Sequence, residues 1–279
     1  MDKVWLITGC STGLGRELAK WVLKLGYKAV VTSRNTDDVI DIVAPYPVTA
    51  IALPLDVTKQ SDINTVVTQA LQKFNRIDVL VNNAGIGYFG AIEESEEDEV
   101  RHMFEINFWG LAHITKAVLP VMRKQRSGHI LNISSIGGLV AFPALGFYNA
   151  TKFAVTAYSE ALAKETAPLG IKVTIVAPSG FRTDWAGRSA KDSAVTIDDY
   201  APTAAANRTT VRGYSGSQKG DPARAAKAMV KVVEAENPPL LLLLGSAALR
   251  NARNKLVTLQ NDFDNWEEVT KGADYPAGE

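Results

Sequence analysis

Tyr148 and Lys152 stand four positions apart at the start of an alanine-rich pattern that predicts a helix. At that spacing both side chains lie on one helix face, about one turn apart. An ammonium group beside a phenol favours the phenolate, so we expect the pKa of Tyr148 to fall below its usual value of about 10. The tyrosine could then exchange a proton near neutral pH. Such pairs also arise by chance, as a surface tyrosine over a lysine stem, so the pair needs support from other segments.

A glycine-rich turn near the N-terminus is a second candidate site. Residues 4–8 form an apolar run that predicts a buried strand, Gly9, Gly13 and Gly15 follow, and residues 16–25 have helical periodicity. This order suits phosphate binding, because the glycines allow close approach and the free N–H groups at the helix start point at an anion. The spacing lacks the Lys-Ser/Thr pair of a P-loop, which weighs against ATP. A tight turn that holds no ligand is the alternative.

The end of the next predicted strand, at residues 28–33, bears on the choice of dinucleotide. In dinucleotide-binding folds an acid at this point accepts from the 2′-OH of NAD, whereas a nearby basic residue accommodates the 2′-phosphate of NADP. Here Ser33 is followed by Arg34, and Asp37 is the next acid. The sequence therefore favours NADP(H), with NAD(H) and a merely solvated arginine as the alternatives.

Strands and helices alternate along most of the chain. Further strands are predicted at residues 50–55, 79–81, 129–133, 172–177 and 240–244. Further helices are predicted at residues 61–74, from the acidic run 93–99 to about 126, where Gly128 ends the helix, and at 149–167, 222–236 and 246–259. This alternation predicts an α/β fold, a Rossmann-type doubly wound sheet of seven parallel strands in a single domain, 1–279. We expect 184–219 to be a mobile substrate-binding flap, 246–279 a C-terminal extension, and the part from Trp266 a tail.

The motifs taken together resemble the short-chain dehydrogenase/reductase family in its single-domain form, over about residues 3–245. Its Asn-Asn-Ala-Gly signature matches residues 82–85, and its catalytic tetrad matches Asn107, Ser135, Tyr148 and Lys152. Ser135 is preferred to Ser134 because it lies thirteen positions before the tyrosine, as in the family. The cofactor-binding residues that the resemblance and the turn imply are Thr8, Gly9, Ser11, Thr12, Gly13, Leu14, Gly15, Ser33, Arg34, Asp56, Val57, Asn83, Ala84, Gly85, Tyr148, Lys152, Pro178, Gly180, Phe181 and Thr183.

Two of these residues have particular roles in the family, and one segment departs from its pattern. The resemblance implies that Asp56 contacts adenine and that Thr183 holds the nicotinamide carboxamide. The family usually has Pro-Gly after its sixth strand, where this chain has Ser179 between Pro178 and Gly180. Residues 180–187 and the C-terminal extension look like the branch similar to 17β-hydroxysteroid dehydrogenases and related bacterial oxidoreductases.

The resemblance implies an oxidoreductase that interconverts a ketone or aldehyde and an alcohol by hydride transfer with NADP(H). Tyr148 would donate or accept the proton, Ser135 would hydrogen-bond the substrate oxygen, Lys152 would bind the nicotinamide ribose, and Asn107 would anchor a water leading to solvent. Aromatic residues expected near the crevice mouth suggest an apolar or ring-bearing substrate, with ordinary packing as the alternative: Tyr88, Phe89, Phe142, Phe147, Phe181 and Trp185.

Rival functions remain open at this point. A catalytically silent NADP(H)-binding regulator usually lacks the tyrosine or the lysine, and this chain has both. An epimerase or dehydratase of the extended kin carries a larger C-terminal domain than this length allows. The resemblance also implies a homodimer or homotetramer built from the helices that carry Asn107 and Tyr148.

Composition argues against other classes. The chain has 279 residues, 46% of them hydrophobic, and equal numbers of acidic and basic residues, 30 each, which gives no reason to expect nucleic acid or an anionic membrane as a partner. The apolar run 240–244 is too short to span a bilayer. With Cys10 as the one cysteine and no signal peptide before the first strand, we expect a cytoplasmic protein. His102, His113 and His129 lack ligand spacing, so no metal is expected.

Overall fold

A computed structural model describes residues 3–275 of the chain. Within them the strands are β1 (Val4–Ile7), β2 (Lys28–Ser33), β3 (Ala50–Pro54), β4 (Val79–Asn82), β5 (Gly87–Phe89), β6 (Gly128–Ile133), β7 (Ile171–Pro178), β8 (Ala190–Asp192) and β9 (Leu241–Leu244). The α-helices are α1 (Gly13–Lys24), α2 (Ile40–Val43), α3 (Gln60–Phe74), α4 (Glu97–Phe104), α5 (Leu111–Gln125), α6 (Gly146–Thr166), α7 (Ala206–Gly213), α8 (Pro222–Glu234), α9 (Ser246–Asn265) and α10 (Glu267–Lys271).

Seven of the strands form one sheet in the order β3-β2-β1-β4-β6-β7-β9, and every neighbouring pair is parallel. The chain moves outward from β1 through β2 and β3, then returns to place β4 on the other side of β1. Ligands of open parallel sheets bind at such a reversal, beyond the carboxyl ends of the strands. The predicted doubly wound seven-stranded sheet is confirmed.

The core consists of two apolar layers, one on each face of the sheet. In β1, Trp5 and Ile7 join the layer under α1 and α8, whereas Val4 and Leu6 join the layer under α3 and α5. All four side chains are fully buried. A strand covered on both faces has no polar alternation, which is why this segment is a continuous apolar run in the sequence.

The long helix predicted up to about residue 126 is interrupted. It consists of α4, a π-helical segment at Glu105–Gly110, and α5. Helical periodicity predicts a helix here but does not reveal one widened turn, and such turns occur often at functional sites. Asn107 lies inside this segment. The last three acids of the run, residues 97–99, form the first turn of α4, whereas residues 93–96 precede the helix.

Other boundaries differ at the ends of elements. Arg126, in the left-handed conformation with φ 54°, ends α5, and Gly128 already belongs to β6. The extension contains α9, which continues to Asn265, and the short α10 where a tail was predicted; the last four residues of that prediction, 276–279, lie outside the described residues. Along residues 3–275 no helix combines the length and apolarity needed to cross a bilayer.

Candidate active site

The glycine turn and the end of β4 are joined by side-chain hydrogen bonds to the main chain. Asn83 Nδ2 donates to the carbonyls of Thr8 (2.9 Å) and Gly9 (2.8 Å), and Thr8 Oγ1 accepts from the N–H groups of Asn83 and Ala84. Gly9 has φ +69°, and a Cβ atom at Gly15 would lie 2.4 Å from Asn83 Nδ2. The turn therefore needs glycine at both positions and an amide at position 83.

The start of α1 leaves main-chain N–H groups facing the cavity above the sheet. Thr12 precedes the helix, and its side chain makes no capping hydrogen bond. The uncapped N–H groups and the positive end of the helix dipole are the usual elements of a phosphate site.

One large cavity runs from this turn to Tyr148. Its volume is about 1120 Å³, and it crosses the carboxyl ends of the central strands. Most of the predicted cofactor-binding residues line it, the exceptions being Thr8 and Gly15, which lie behind its wall. The turn, the ends of β2 and β4, and the segment after β7 thus face one space, as the sequence predicts.

Three of the four predicted catalytic residues line this cavity: Ser135 after β6, and Tyr148 and Lys152 on α6. Lys152 Nζ lies 5.8 Å from the centroid of the Tyr148 ring and donates to the carbonyl of Ile133 at 2.9 Å. Ser135 Oγ accepts from the Gly137 N–H at 3.0 Å and hydrogen-bonds with Tyr148. The phenol, the hydroxyl and the ammonium therefore converge.

The expected fall in the pKa of Tyr148 is not what the structure gives. Burial raises the pKa of Tyr148 to about 12, and the hydrogen bond with Ser135 only partly opposes this. Burial also lowers the pKa of Lys152 to about 8. The prediction considered only the neighbouring charge, whereas both side chains are almost completely buried and the loss of hydration dominates.

Asn107 lies beside this group without lining the cavity. Its Oδ1 accepts from the Ile86 N–H at 2.8 Å, and its Nδ2 donates to the Ile86 carbonyl (2.9 Å) and to Thr151 Oγ1 (3.2 Å). A Cβ atom at Gly85 would lie 3.1 Å from Asn107 Oδ1 and 3.6 Å from Lys152 Nζ, so both polar groups border the same spot. Asn107 therefore fixes the segment after β4 to α6; its expected role in anchoring a water stays a prediction.

Asp56 and Arg34 stand at the opposite end of the cavity. The Asp56 carboxylate accepts from Thr58 N–H (3.0 Å) and Thr58 Oγ1 (2.7 Å). Partial burial acts to raise the pKa of Asp56, but these hydrogen bonds, with the charges of Lys59 and Arg34, hold it below its usual value. The Arg34 side chain is exposed and lines the cavity beside Ser33.

Of the six aromatic residues expected near the cavity mouth, three line the cavity and three do not. Phe142, Phe181 and Trp185 line the cavity. The Trp185 and Tyr148 ring centroids are 4.9 Å apart. The other three do not line it: Tyr88 and Phe89 are buried, and Phe147 packs against the same apolar cluster. For these three, ordinary packing is the correct interpretation.

The segment 184–219 is folded rather than irregular. Its strand β8 pairs in parallel with β5, with Gly87 opposite Ala190, and both strands were missed because each has only three residues. Thr183 accepts from the Trp185 N–H, which orients the short 3₁₀ turn Asp184–Ala186 at the cavity wall.

An acidic loop before α4 holds this segment in place. The Glu94 carboxylate accepts from the N–H groups of Ala91 (2.8 Å) and Ile197 (2.9 Å), and Glu96 accepts from Tyr88 OH and from the Ala194 N–H. The main-chain bonds lower the pKa of Glu94, and Tyr88 with Ala194 lowers that of Glu96 to about 2. We name residues 93–96 the acidic clamp. The run of acids was visible in the sequence, but its partners about a hundred residues away were not.

Comparison with known proteins agrees with this geometry. Residues 3–194 match the family model described as short chain dehydrogenase. The chain belongs to the short-chain dehydrogenase family. It is 36% identical over 271 residues to the oxidoreductase BOA17 of Botryotinia fuckeliana, covering 97% of this chain and 98% of that protein. It is 38% identical over 249 residues to the 3-ketodihydrosphingosine reductase of Bacteroides thetaiotaomicron, covering 87% and 88%. The protein is therefore an oxidoreductase of a family that acts on small molecules.

Solved structures give the same result. A short-chain dehydrogenase from Streptomyces avermitilis superposes with a TM-score of 0.92 at 42% identity, over 99% of this chain and 100% of that one. A Burkholderia phymatum family member in complex with NAD has a TM-score of 0.81 at 25% identity, over 93% and 95%. ElxO with NADP bound has a TM-score of 0.74 at 29% identity, over 90% and 100%. Structural neighbours thus bind either dinucleotide.

In the part of the chain that the structure describes, no group of three or more His, Cys, Asp or Glu side chains is arranged so that it could hold a metal ion.

Proposed function

We propose that this oxidoreductase transfers hydride between NADP(H) and an alcohol/ketone or alcohol/aldehyde pair, with Tyr148 as the proton donor or acceptor. The observation that carries the proposal is the convergence of Ser135, Tyr148 and Lys152 at one end of a cavity whose other end is a glycine turn. A cavity with these two ends suits an extended ligand, because a small substrate alone would leave the turn without a role.

The residues present fit a dinucleotide. The uncapped start of α1 with Ser11 and Thr12 suits the pyrophosphate, the end of β2 suits the adenosine ribose, and Thr183 suits the nicotinamide amide. When bound, the dinucleotide supplies a hydride to the carbonyl carbon or takes one from the alcohol carbon. Asp56 would contact the adenine edge.

The proton chemistry falls to residues of α6 and the loop after β6. In reduction, Tyr148 holds its proton at neutral pH, because burial keeps its pKa near 12, and donates that proton to the developing alkoxide oxygen. Ser135 hydrogen-bonds the same oxygen and fixes its position. Lys152, with a pKa of about 8, is mostly protonated at neutral pH, so its charge stabilises the phenolate that remains. Lys152 would also hold the ribose hydroxyls.

The preference for NADP(H) over NAD(H) rests on Arg34. Its exposed guanidinium stands after β2, at the edge where a 2′-phosphate would lie, and its charge already acts on Asp56. Arg16, the nearest other arginine in sequence, is bound to Asp41 and to the Asp38 carbonyl and is therefore not available for this role.

An apolar or ring-bearing substrate fits the wall beside Tyr148. Trp185 and Phe142 present aromatic surface there, and half-buried rings gain from covering apolar groups. The name of the Bacteroides relative, a 3-ketodihydrosphingosine reductase, supports a ketone as the reacting group. We therefore interpret 184–219 as a substrate-binding flap within a single catalytic domain.

Our proposals for the oligomeric state and the cellular location of the protein come from its sequence. A homodimer or homotetramer formed through the helices of Asn107 and Tyr148 is our expectation from the family resemblance. Cys10 is free and buried, and burial raises the pKa of its thiol to about 12, so it is unreactive; a cytoplasmic location remains the expectation.

The experiment that tests the proposal combines a substrate screen with cofactor titration. The purified chain is incubated with NADPH and a panel of apolar ketones and aldehydes, and absorbance of the reduced cofactor is followed; fluorescence titration reports its binding. We expect binding with turnover on members of the panel. Binding without turnover on any carbonyl or alcohol would favour the silent regulator, and failure of both dinucleotides to bind would refute the proposal.

A further inference from the structure

Helix α9 extends from the end of β9 and is largely uncovered. It has 20 residues, so it is about 30 Å long, and within it only Ala248 is buried. Leu256 is 67% exposed and Phe263 is 63% exposed, as is Trp266 directly after the helix. Contiguous apolar surface of this kind is unusual on a monomer and marks an interaction surface.

Most of the exposed apolar residues of α9 follow a seven-residue repeat, with Val257 outside it. Leu249, Leu256 and Phe263 recur at intervals of seven. A second row with the same interval lies between them, formed by Ala252, Leu259 and Trp266. Alternating steps of three and four are the pattern of a helix that packs lengthwise against another helix. We name these six residues the α9 stripe.

The distribution of charge along α9 bears on the identity and the direction of the helix that packs against it. Arg250, Arg253 and Lys255 make the first half basic. Asp262, Asp264, Glu267 and Glu268 make the end of α9 and the start of α10 acidic. Two copies side by side in the same direction would bring like charges together, whereas two antiparallel copies place each basic half beside an acidic half.

We propose that the α9 stripe pairs with the same stripe of a second copy, antiparallel, about a two-fold axis near the middle of the helix. Such an arrangement is isologous, so one patch serves both copies and the contact closes on itself. With the axis between residues 257 and 258, Ala252 faces Phe263 of the second copy and Leu249 faces Trp266, so a smaller side chain meets a larger one in these layers, and Leu256 faces Leu259 between them. The inference does not depend on the proposed chemistry.

The pairing also bears on the cavity. Ala247 and Asn251, in the first turns of α9, line it. Holding α9 between two copies fixes the rim at this point, so the assembly and the ligand site share a helix.

The first test is the mass of the full chain in solution, by light scattering after size exclusion over a dilution series. One chain has a mass of 30.1 kDa. We expect an even number of copies for the wild type, and half that number for both Leu256→Glu and Phe263→Glu, which place charge in the α9 stripe. Val48→Glu is the control, because Val48 is 80% exposed on another surface, and it should retain the wild-type mass. A monomeric wild type, or a mass that neither variant reduces, would overturn the proposal.

The second test is the direction of the pairing, by cross-linking with a short bifunctional maleimide. Cys10 is buried, so a cysteine introduced into α9 is the reactive thiol. In the antiparallel pair Leu256→Cys should link to itself, and Leu249→Cys should link to Trp266→Cys when the two proteins are mixed. Leu249→Cys should not link to itself, because the two positions are about 25 Å apart along the helix. Self-linking of Leu249→Cys, or no linking by any of the three, would overturn the antiparallel arrangement.

Discussion

Replacing Glu94 by glutamine should loosen the flap without touching the cavity. Glu94 is 4% exposed, and its carboxylate accepts two main-chain hydrogen bonds, one from Ala91 in its own loop and one from Ile197 in the flap. Glutamine keeps one acceptor oxygen and turns an NH₂ group towards the other N–H, so one bond is lost and two donors oppose each other.

The size of the effect follows from the charge on the acceptor. A hydrogen bond to a charged group is worth about 1.5–3 kcal/mol, so we expect flap opening to become easier by about 2 kcal/mol. At 1.4 kcal/mol per factor of ten, this corresponds to an increase of about 30-fold in the opening equilibrium. Hydrogen exchange of the Ile197 amide should accelerate by the same factor, since protection reports local opening. The KM for the carbonyl substrate should rise more than kcat falls.

Glu99→Gln is the matched control. Glu99 also connects α4 to the flap, through an ion pair with Lys191, but this pair is at the surface. Exposed pairs contribute about 0–1 kcal/mol, so exchange at residue 197 should change little. Equal exchange rates in Glu94→Gln and the wild type would refute the reasoning about the acidic clamp.

The clamp should also respond to acid. The folded pKa of Glu94 lies below its unfolded value of 4.5, because main-chain N–H groups stabilise the carboxylate. Its contribution is therefore complete above pH 4.5 and is lost as the pH falls through the folded pKa. The protection of the flap amides, corrected for the intrinsic effect of pH on exchange, should fall in that window more in the wild type than in Glu94→Gln.

Two further predictions concern the two ends of the cavity. Arg34→Ala should weaken NADPH binding at least tenfold and leave NADH binding nearly unchanged. The control is Lys20→Ala, which removes a positive charge from α1 outside the cavity and should leave the binding of both dinucleotides unchanged. An unaltered preference for NADPH in Arg34→Ala would contradict the assignment of Arg34 to the 2′-phosphate. Burial lowers the pKa of Lys152 from 10.5 to about 8, so between these pH values the lysine is protonated in the unfolded chain and largely neutral in the folded one. The free energy of unfolding of the wild type should therefore rise with pH through that window, by up to about 3 kcal/mol relative to Lys152→Met. Thermal unfolding of both proteins from pH 7 to 10 measures this difference, and parallel curves would contradict it.

Local patterns in the sequence were enough to predict the fold and to bring most of the candidate site residues to one cavity. The glycine turn, the strand ends and the four-residue spacing of Tyr148 and Lys152 are short-range features, and alternation of strands and helices determines how a parallel sheet brings them together. The positions of Ser135, Asn83 and Thr183 follow from the same logic, since each directly follows a predicted strand or its turn.

The remaining features depend on contacts between distant segments. Glu94 and Ile197 are 103 positions apart, and no local pattern links a carboxylate to a main-chain N–H at that distance. Spacing also indicates that Lys152 is near Tyr148, but not that both are buried, so the sign of the pKa change could not be predicted. The widened turn at Asn107 differs from a regular helix by too little to alter the apolar periodicity.

The most direct test of the central claim is the replacement of Tyr148 by phenylalanine. The change removes the phenolic oxygen and keeps the ring that packs against Trp185. We predict that kcat/KM with NADPH and the best carbonyl of the panel falls by at least a thousandfold, while the Kd for NADPH stays within a few-fold of the wild type. Turnover close to that of the wild type, with NADPH still bound, would contradict the role of Tyr148 as the proton donor.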